Sequence, residues 1–116
     1  MELQYFESST PAEDVAGATF RDGASVVTNI VDDGVVEAVA NELRENLDHF
    51  GYRSQRAFSG FKTNRCSSTF VDAPSSVPLA AHNLIMGVAD AILLPYCESY
   101  RISSITAIEV CPGETV

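Results

Sequence analysis

The clearest pattern in this sequence is an apolar residue at every fourth position between residues 32 and 50. The stripe consists of Val35, Val39, Leu43 and Leu47, and charged residues fall largely on the other side. Side chains four positions apart lie on one face of an α-helix, so the pattern predicts a surface helix with this stripe buried against a core. Asp32 is expected to cap its first turn, and Gly51 is expected to end it.

Two further helices are predicted, one before and one after this helix in the sequence. Thr10-Pro11-Ala12-Glu13 has the form of a capping box with Thr10 as N-cap, which predicts a helix over 11–21 that ends at Asp22-Gly23. A second apolar stripe predicts a helix over 76–94, interrupted near His82 and ended by Pro95. The members of this stripe, also expected to be buried, are Leu84, Ile85, Val88 and Ile92.

Two short segments have the character of strands. Residues 24–30 (ASVVTNI) are rich in β-branched side chains, which favour strands. Over 100–111, side chains such as Ile108 and Val110 alternate with Glu109 on the opposite face. Together with the three helices, these strands predict a protein of the α+β class.

The segment 52–76 follows neither a helical nor a strand period. Ser, Gly, Arg, Thr and Asn dominate it, with Phe58, Phe61 and Phe70 interspersed. A long irregular segment in a compact domain is usually functional or disordered, and the aromatic side chains favour a lid or a pocket wall over a linker. Its basic residues permit either a small anion site or a solvated loop. They are Arg53, Arg56, Lys62 and Arg65.

Composition and charge narrow the functional classes. The chain has 116 residues, enough for one domain, and its 16 acidic and 7 basic residues give a net charge of −9. Because such a field repels polyanions, nucleic acid is not expected as a partner. The longest strongly apolar stretch, residues 84–95, is shorter than the roughly 20 residues of a membrane span. We therefore expect a soluble, cytoplasmic protein with no membrane partner.

Cysteine and histidine spacing gives no sign of a metal site. Cys66, Cys97 and Cys111 are widely spaced and form no CxxC pair, so zinc is not expected. Cys97 and Cys111 are predicted to be buried small hydrophobes, and a reducing compartment suits all three thiols. His82 lies in an apolar stretch with no second ligand near it, which predicts a hydrogen-bonded structural role.

Four segments occur in a specific order along most of the chain, from about residue 20 to residue 116. They are FRDGASVVTNIVDDGVVEAVANEL, FSGFKTNR, LAAHNLIMGVADAILLP and ITAIEVCPGETV. The most telling parts are the Phe20-Arg21-Asp22-Gly23 entry to the first strand and the strand that leads into Pro112-Gly113-Glu114. In order and spacing the segments resemble the amino-terminal part of the phytanoyl-CoA dioxygenase-like family of Fe(II)/2-oxoglutarate oxygenases.

The resemblance implies a fold and an activity. All 116 residues would form the helical amino-terminal flank of a single oxygenase domain, whose double-stranded β-helix (jelly-roll) core and iron triad lie beyond Val116. The complete protein would be a dioxygenase that uses Fe(II) and 2-oxoglutarate to hydroxylate or desaturate a small organic substrate, as in secondary-metabolite tailoring. In the family, a Gln and an H-x-D motif closely follow the segment that matches ITAIEVCPGE. No catalytic or metal-binding residue is therefore carried over onto this chain.

The resemblance also implies that residues 58–65 wall or cover the substrate pocket. The candidates are Phe58 and Phe61 as apolar surface and Lys62, Thr63, Asn64 and Arg65 as donors. Among them, Thr63 and Asn64 are expected nearest to the substrate, and Arg65 is expected to be an anion or structural partner. A solvated connector is the alternative interpretation of the same residues.

Two interpretations of the whole chain stay open at this point. The sequence stops as a further strand would begin, which is expected for the front portion of a complete enzyme that needs the remainder of the same protein. Alternatively, the chain is a truncated, non-catalytic relative that acts as a partner-binding or stabilising subunit for a companion oxygenase. In both cases residues 1–116 alone are expected to bind neither Fe(II) nor 2-oxoglutarate. The complete protein would bind a small-molecule substrate, with a dimer as a further option.

Overall fold

The computed structural model describes residues 2–50 and 60–114. In chain order its strands are β1 (Gln4–Glu7), β2 (Ser25–Thr28), β3 (Thr63–Cys66) and β4 (Ala107–Val110). The helices are α1 (Ala12–Asp22), α2 (Asp33–Phe50), α3 (Thr69–Asp72), α4 (Val77–Ala80) and α5 (Asn83–Leu93), with a 3-10 turn at Pro74–Ser76. The α+β class is thus confirmed, in the form of several helices and two small sheets.

The chain divides into two compact units. The first contains Met1–Asp32 and Val77–Arg101, and the second contains Asp33–Ser76 and Ile102–Val116. In the first unit β1 and β2 pair in parallel, with Tyr5 opposite Val26. Helix α1 connects these two strands and packs against α5. A helical connection of this kind is what a parallel pair requires.

Helix α1 begins one residue later than its sequence predicts. Pro11 is the N-cap, with extended backbone (φ −54°, ψ 138°) and no side-chain capping bond, so the predicted capping box with Thr10 as N-cap is wrong. The Pro11 carbonyl instead accepts from the N–H groups of Asp14 and Val15 at 3.1 and 3.4 Å. At the other end the prediction is confirmed, because Gly23 adopts a left-handed φ of 84° and its N–H binds the Thr19 carbonyl.

The second apolar stripe is only partly buried. The predicted interruption near His82 is confirmed: His82 caps α5, and its Nδ1 accepts the N–H of Leu84 at 3.1 Å, a structural role. Leu84 is buried, and Val88 and Ile92 are half-buried. Ile85 is 36% exposed, so its predicted burial is wrong. One residue along a helix turns the side chain by about 100°, which carries Ile85 away from the face of α5 that buries Leu84.

The long helix of the second unit is found where the sequence predicts it. Helix α2 begins at Asp33, directly after the expected cap, and contacts β3, α3 and the 3-10 turn. Within its stripe Leu47 is buried, whereas Val35, Val39 and Leu43 are half-buried. The helix therefore lies on the surface of the unit. Its apolar face is most deeply buried at Leu47, near its carboxyl end.

The sheet of the second unit was not anticipated from the sequence. Strands β3 and β4 pair antiparallel, with Asn64 opposite Glu109. The predicted irregular segment 52–76 is therefore wrong for residues 60–76, which contain β3, α3 and the 3-10 turn, while residues 52–59 lie outside the described part. The strand predicted over 100–111 is shorter, Ala107–Val110, preceded by an isolated bridge between Ser68 and Ile105.

Within the described ranges, no single helix is long and apolar enough to cross a bilayer. Among the described helices, the bent pair formed by Pro74–Ala80 and Asn83–Leu93 reaches that length and hydropathy when the two are taken together.

Two helical glycines differ in the space around them, which predicts opposite effects of alanine. A methyl group at Gly17 in α1 would meet nothing within 4 Å, whereas at Gly87 in α5 it would lie 2.8 Å from Cβ of Ala12. We expect Gly17→Ala to raise the free energy of unfolding by roughly 0.5–1 kcal/mol through helix propensity. Gly87→Ala should lower it by roughly 1–2 kcal/mol, because α1 and α5 must separate.

Urea unfolding of the two variants and the wild type measures this difference, and each variant is the control for the other. An equal stabilisation by both substitutions would contradict the close packing of α1 on α5.

Candidate functional site

A carboxylate on β4 joins three elements of the second unit. Arg44 of α2 holds Glu109 with two hydrogen bonds, from Nη1 to Oε1 at 2.6 Å and from Nη2 to Oε2 at 2.8 Å. Asn64 of β3 donates its Nδ2 to Glu109 Oε2, also at 2.8 Å. The Nε of Arg44 binds Asp48 at 2.9 Å within α2. The fork-to-fork geometry of Arg44 and Glu109 fixes the direction of both side chains.

The electrostatics of this group follow from those contacts. The hydrogen bonds from Arg44, and after them the one from Asn64, lower the pKa of Glu109 from 4.5 to about 2, against a smaller opposing effect of burial. The same pairing with Glu109 raises the pKa of Arg44. Glu109 is therefore an ionised acceptor at neutral pH, and Asn64 must turn its amide nitrogen toward it.

The side-chain carbonyl oxygen of Asn64 receives no hydrogen bond from the described residues. Asn64 is 8% exposed, and its Oδ1 is buried without a hydrogen-bond partner among the described residues. Because Glu109 accepts only, the amide cannot be reversed without losing the contact to Oε2. A buried acceptor without a donor costs roughly 1–3 kcal/mol. Asn64 thus presents one fixed acceptor for which the described part of the chain supplies no donor.

A second carboxylate, that of Glu114, is enclosed by the segment before β3. It accepts the N–H of Phe61 at 2.9 Å, the N–H of Lys62 at 2.6 Å and the hydroxyl of Thr63 at 2.6 Å. Gly60 makes this cradle possible, since its φ is 86° and an added Cβ would overlap both Thr63 Oγ1 and Glu114 Oε2. The hydroxyl of Thr63 therefore donates its one proton to Glu114.

The remaining polar contacts of the second unit are structural. Glu42 of α2 accepts the N–H and the hydroxyl of Ser75 at 3.1 and 2.8 Å. Thr69 Oγ1 accepts the N–H of Ala107 at 3.0 Å. The Cys66 thiol lies 3.2 Å from Asp72 Oδ2, and burial, followed by the hydrogen bond to Asp72, raises the pKa of this thiol. An unreactive, protonated thiol is expected at that position.

The predicted pocket residues are placed in three different ways. Phe58 lies outside the described residues, as do Arg53 and Arg56 of the basic segment. Thr63 and Asn64 are buried and bind the two carboxylates. The other candidates are exposed on or beside β3, and they are Phe61, Lys62 and Arg65. The assignment of this segment to a substrate pocket stays a prediction.

Sequence reasoning missed the acidic and basic partners that complete this site. Glu109 shares a strand face with Ala107, and both are half-buried while Ile108 and Val110 are exposed. The alternation itself is confirmed, but it is the face with the acidic residue that turns inward. The sequence signal that could have indicated this site was Glu109, a charged residue within a predicted strand. Its partner Arg44 is 65 positions away, and no local pattern connects the two.

The cavities among the described residues include three whose linings contain none of the predicted pocket residues. One of about 250 Å³ lies in the second unit between residues 67–71 and 102–105. The first unit contains one of about 360 Å³ between α1 and the end of α5 and another of about 280 Å³ beside β2.

The residues that the structure describes do not fit an iron site. Within these residues no group of three or more His, Cys, Asp or Glu side chains could hold a metal ion. The three cysteines are unpaired thiols. Cys66 is buried and Cys111 half-buried, but Cys97 is exposed, so its predicted burial is wrong, because it follows α5 in a wholly exposed stretch.

Comparison with protein-family models found no match for this chain, and neither did comparison with curated proteins.

The lowered pKa of Glu109 predicts how stability depends on pH. A carboxylate whose pKa is lower in the folded state stabilises that state above its unfolded pKa, and the stabilisation disappears as the pH falls. The free energy of unfolding should therefore decrease between pH 4.5 and about 2 through Glu109. Glu109→Gln should lower the urea midpoint at neutral pH and make its decline over that pH range shallower.

Glu37→Gln is the matched control, because Glu37 lies exposed on α2. If the wild type and Glu109→Gln lose stability in parallel over the acid range, Arg44 does not hold Glu109 in solution.

Proposed function

We propose that this chain contributes the substrate-side wall of an oxygenase that depends on Fe(II) and 2-oxoglutarate and oxidises a small organic molecule. The proposal rests on the ordered resemblance of four segments to the phytanoyl-CoA dioxygenase-like family. It includes the finer fold assignment, in which this chain is the helical flank of a jelly roll. Helix α2 packed along β3 is compatible with such a flank. The three unpaired thiols support a cytoplasmic location.

The observation that carries the proposal is the unpartnered Oδ1 of Asn64. Buried polar groups in proteins nearly always have a partner, and this acceptor is held in one orientation by Glu109 and, behind it, Arg44. The missing donor is assigned to the substrate, as a hydroxyl or N–H group that binds Asn64. The side chain is thereby a specificity element, since a substrate lacking that donor would leave the oxygen unpaired.

The role proposed for this chain is binding and orientation. Its two histidines, His49 and His82, are not part of an H-x-D motif, and the described residues do not fit iron. The metal and 2-oxoglutarate are accordingly assigned to residues beyond the 116 printed here, and no chemical step is assigned to this chain.

A second candidate function is that of a non-catalytic, partner-binding subunit. The observation that favours it is the outer face of β4 and the segment before it, where Ile102, Ile108 and Val110 are 58%, 52% and 66% exposed. Apolar side chains grouped on a short strand are normally covered. In the first candidate the remainder of the same protein covers them; in the second, a companion subunit does.

Substitution of Asn64 in the complete protein tests the first candidate. Asn64→Ala should lower kcat/KM for substrate oxidation roughly 5- to 100-fold, the loss of one buried hydrogen bond. Binding of Fe(II) and 2-oxoglutarate, measured without oxygen, should be unchanged. Asn41→Ala is the matched control, because Asn41 is an exposed asparagine on α2.

Unchanged turnover in Asn64→Ala would remove this residue from the substrate site. A complete protein that shows no oxidation dependent on 2-oxoglutarate, with residues 1–116 bound stably to a second protein, would favour the partner-binding subunit.

A further inference from the structure

The cavity beside β2 in the first unit is lined mainly by apolar side chains. It has a volume of about 280 Å³ and lies between α1, β2 and α5. Val15 and Leu84 on its wall are 2% and 8% exposed, and Val27 and Val88 add further apolar surface. No charged side chain lines it. This volume is near the lower end of ligand pockets, roughly 300 Å³.

The polar groups on this lining are Thr19 and Ser25. Thr19 Oγ1 lies 2.8 Å from the carbonyl oxygen of Val15 and 2.6 Å from Ser25 Oγ. A hydroxyl group has one proton to donate and two lone pairs to accept with. Because the Val15 carbonyl can only accept, the proton of Thr19 is committed to it. The bond between the two hydroxyls is therefore donated by Ser25.

This direction of donation decides what the cavity can bind. Ser25 Oγ has used its proton on Thr19 and makes no other hydrogen bond with the described residues, so both of its lone pairs are available. The hydroxyl pair thus presents acceptors and no free donor. An occupant needs a hydroxyl or N–H group to meet Ser25 and an apolar body to meet the valines and Leu84. A charged occupant would lose its hydration without a compensating charge.

We propose that this cavity is a binding site for a small, uncharged, largely apolar molecule that carries one hydroxyl or N–H group. The site goes beyond the function proposed above: it lies in the first unit, and neither Asn64 nor the oxygenase assignment enters the argument. Its specificity comes from Ser25, whose acceptor oxygen favours a donor over an isosteric carbonyl compound.

Two matched probes test the inference on the full 116-residue chain. Cyclohexanol carries a donor, whereas cyclohexanone has nearly the same size and only accepts. Dissociation constants from ligand-observed saturation-transfer NMR should favour cyclohexanol about fivefold, corresponding to one net hydrogen bond. Cyclohexylammonium should bind more weakly than either, because the lining offers no counter-charge.

Ser25→Ala should abolish the preference by weakening cyclohexanol and leaving cyclohexanone unchanged, and the retained cyclohexanone signal shows that the variant is folded. Ser99→Ala, which alters an exposed serine of the same unit, should keep the full preference. Equal affinities in the wild type, a preference that survives Ser25→Ala, or no binding of either neutral probe would each overturn the proposal.

Discussion

The carboxylate of Glu109 connects parts of the chain that are distant in sequence. Its partners are Arg44, 65 positions away in α2, and Asn64, 45 positions away in β3. An exposed ion pair contributes little stability on its own. Here the pair has both forks engaged and a third donor on the same carboxylate, and this geometry orients α2, β3 and β4 together. The orientation of Asn64, and with it the proposed substrate contact, depends on this group.

A second carboxylate, that of Glu114, also joins residues that are distant in sequence. Glu114 follows β4 by a few residues and closes on Phe61, Lys62 and Thr63 through three hydrogen bonds. The segment from residue 107 to 114 thus binds donors of residues 61–64 at two points, Glu109 and Glu114. The backbone N–H groups of Phe61 and Lys62 and the side-chain donors of Thr63 and Asn64 would suit a solvated loop. Here they bind carboxylates of the same chain instead.

How much of the fold and of the candidate site could be predicted depends on how far apart in sequence the interacting residues lie. Helix α2, the end of α1 at Gly23 and the interruption at His82 are set by local spacing and capping, and the sequence predicts them. Strand β3 (TNRC) has no apolar alternation, and it is a strand because it pairs with β4. Thr63 and Asn64 could be recognised as donors from the sequence. Their acceptors, 51 and 45 positions away, could not be identified.

The state of Glu109 in solution is the most direct measure of this account. A ¹³C NMR titration can follow its side-chain carboxyl carbon, assigned by the signal that disappears in Glu109→Gln. The contacts with Arg44 and Asn64 predict a midpoint near a pKa of about 2. A midpoint at the ordinary value of 4.5 would mean that neither donor holds the carboxylate, and the central connection between α2, β3 and β4 would be contradicted.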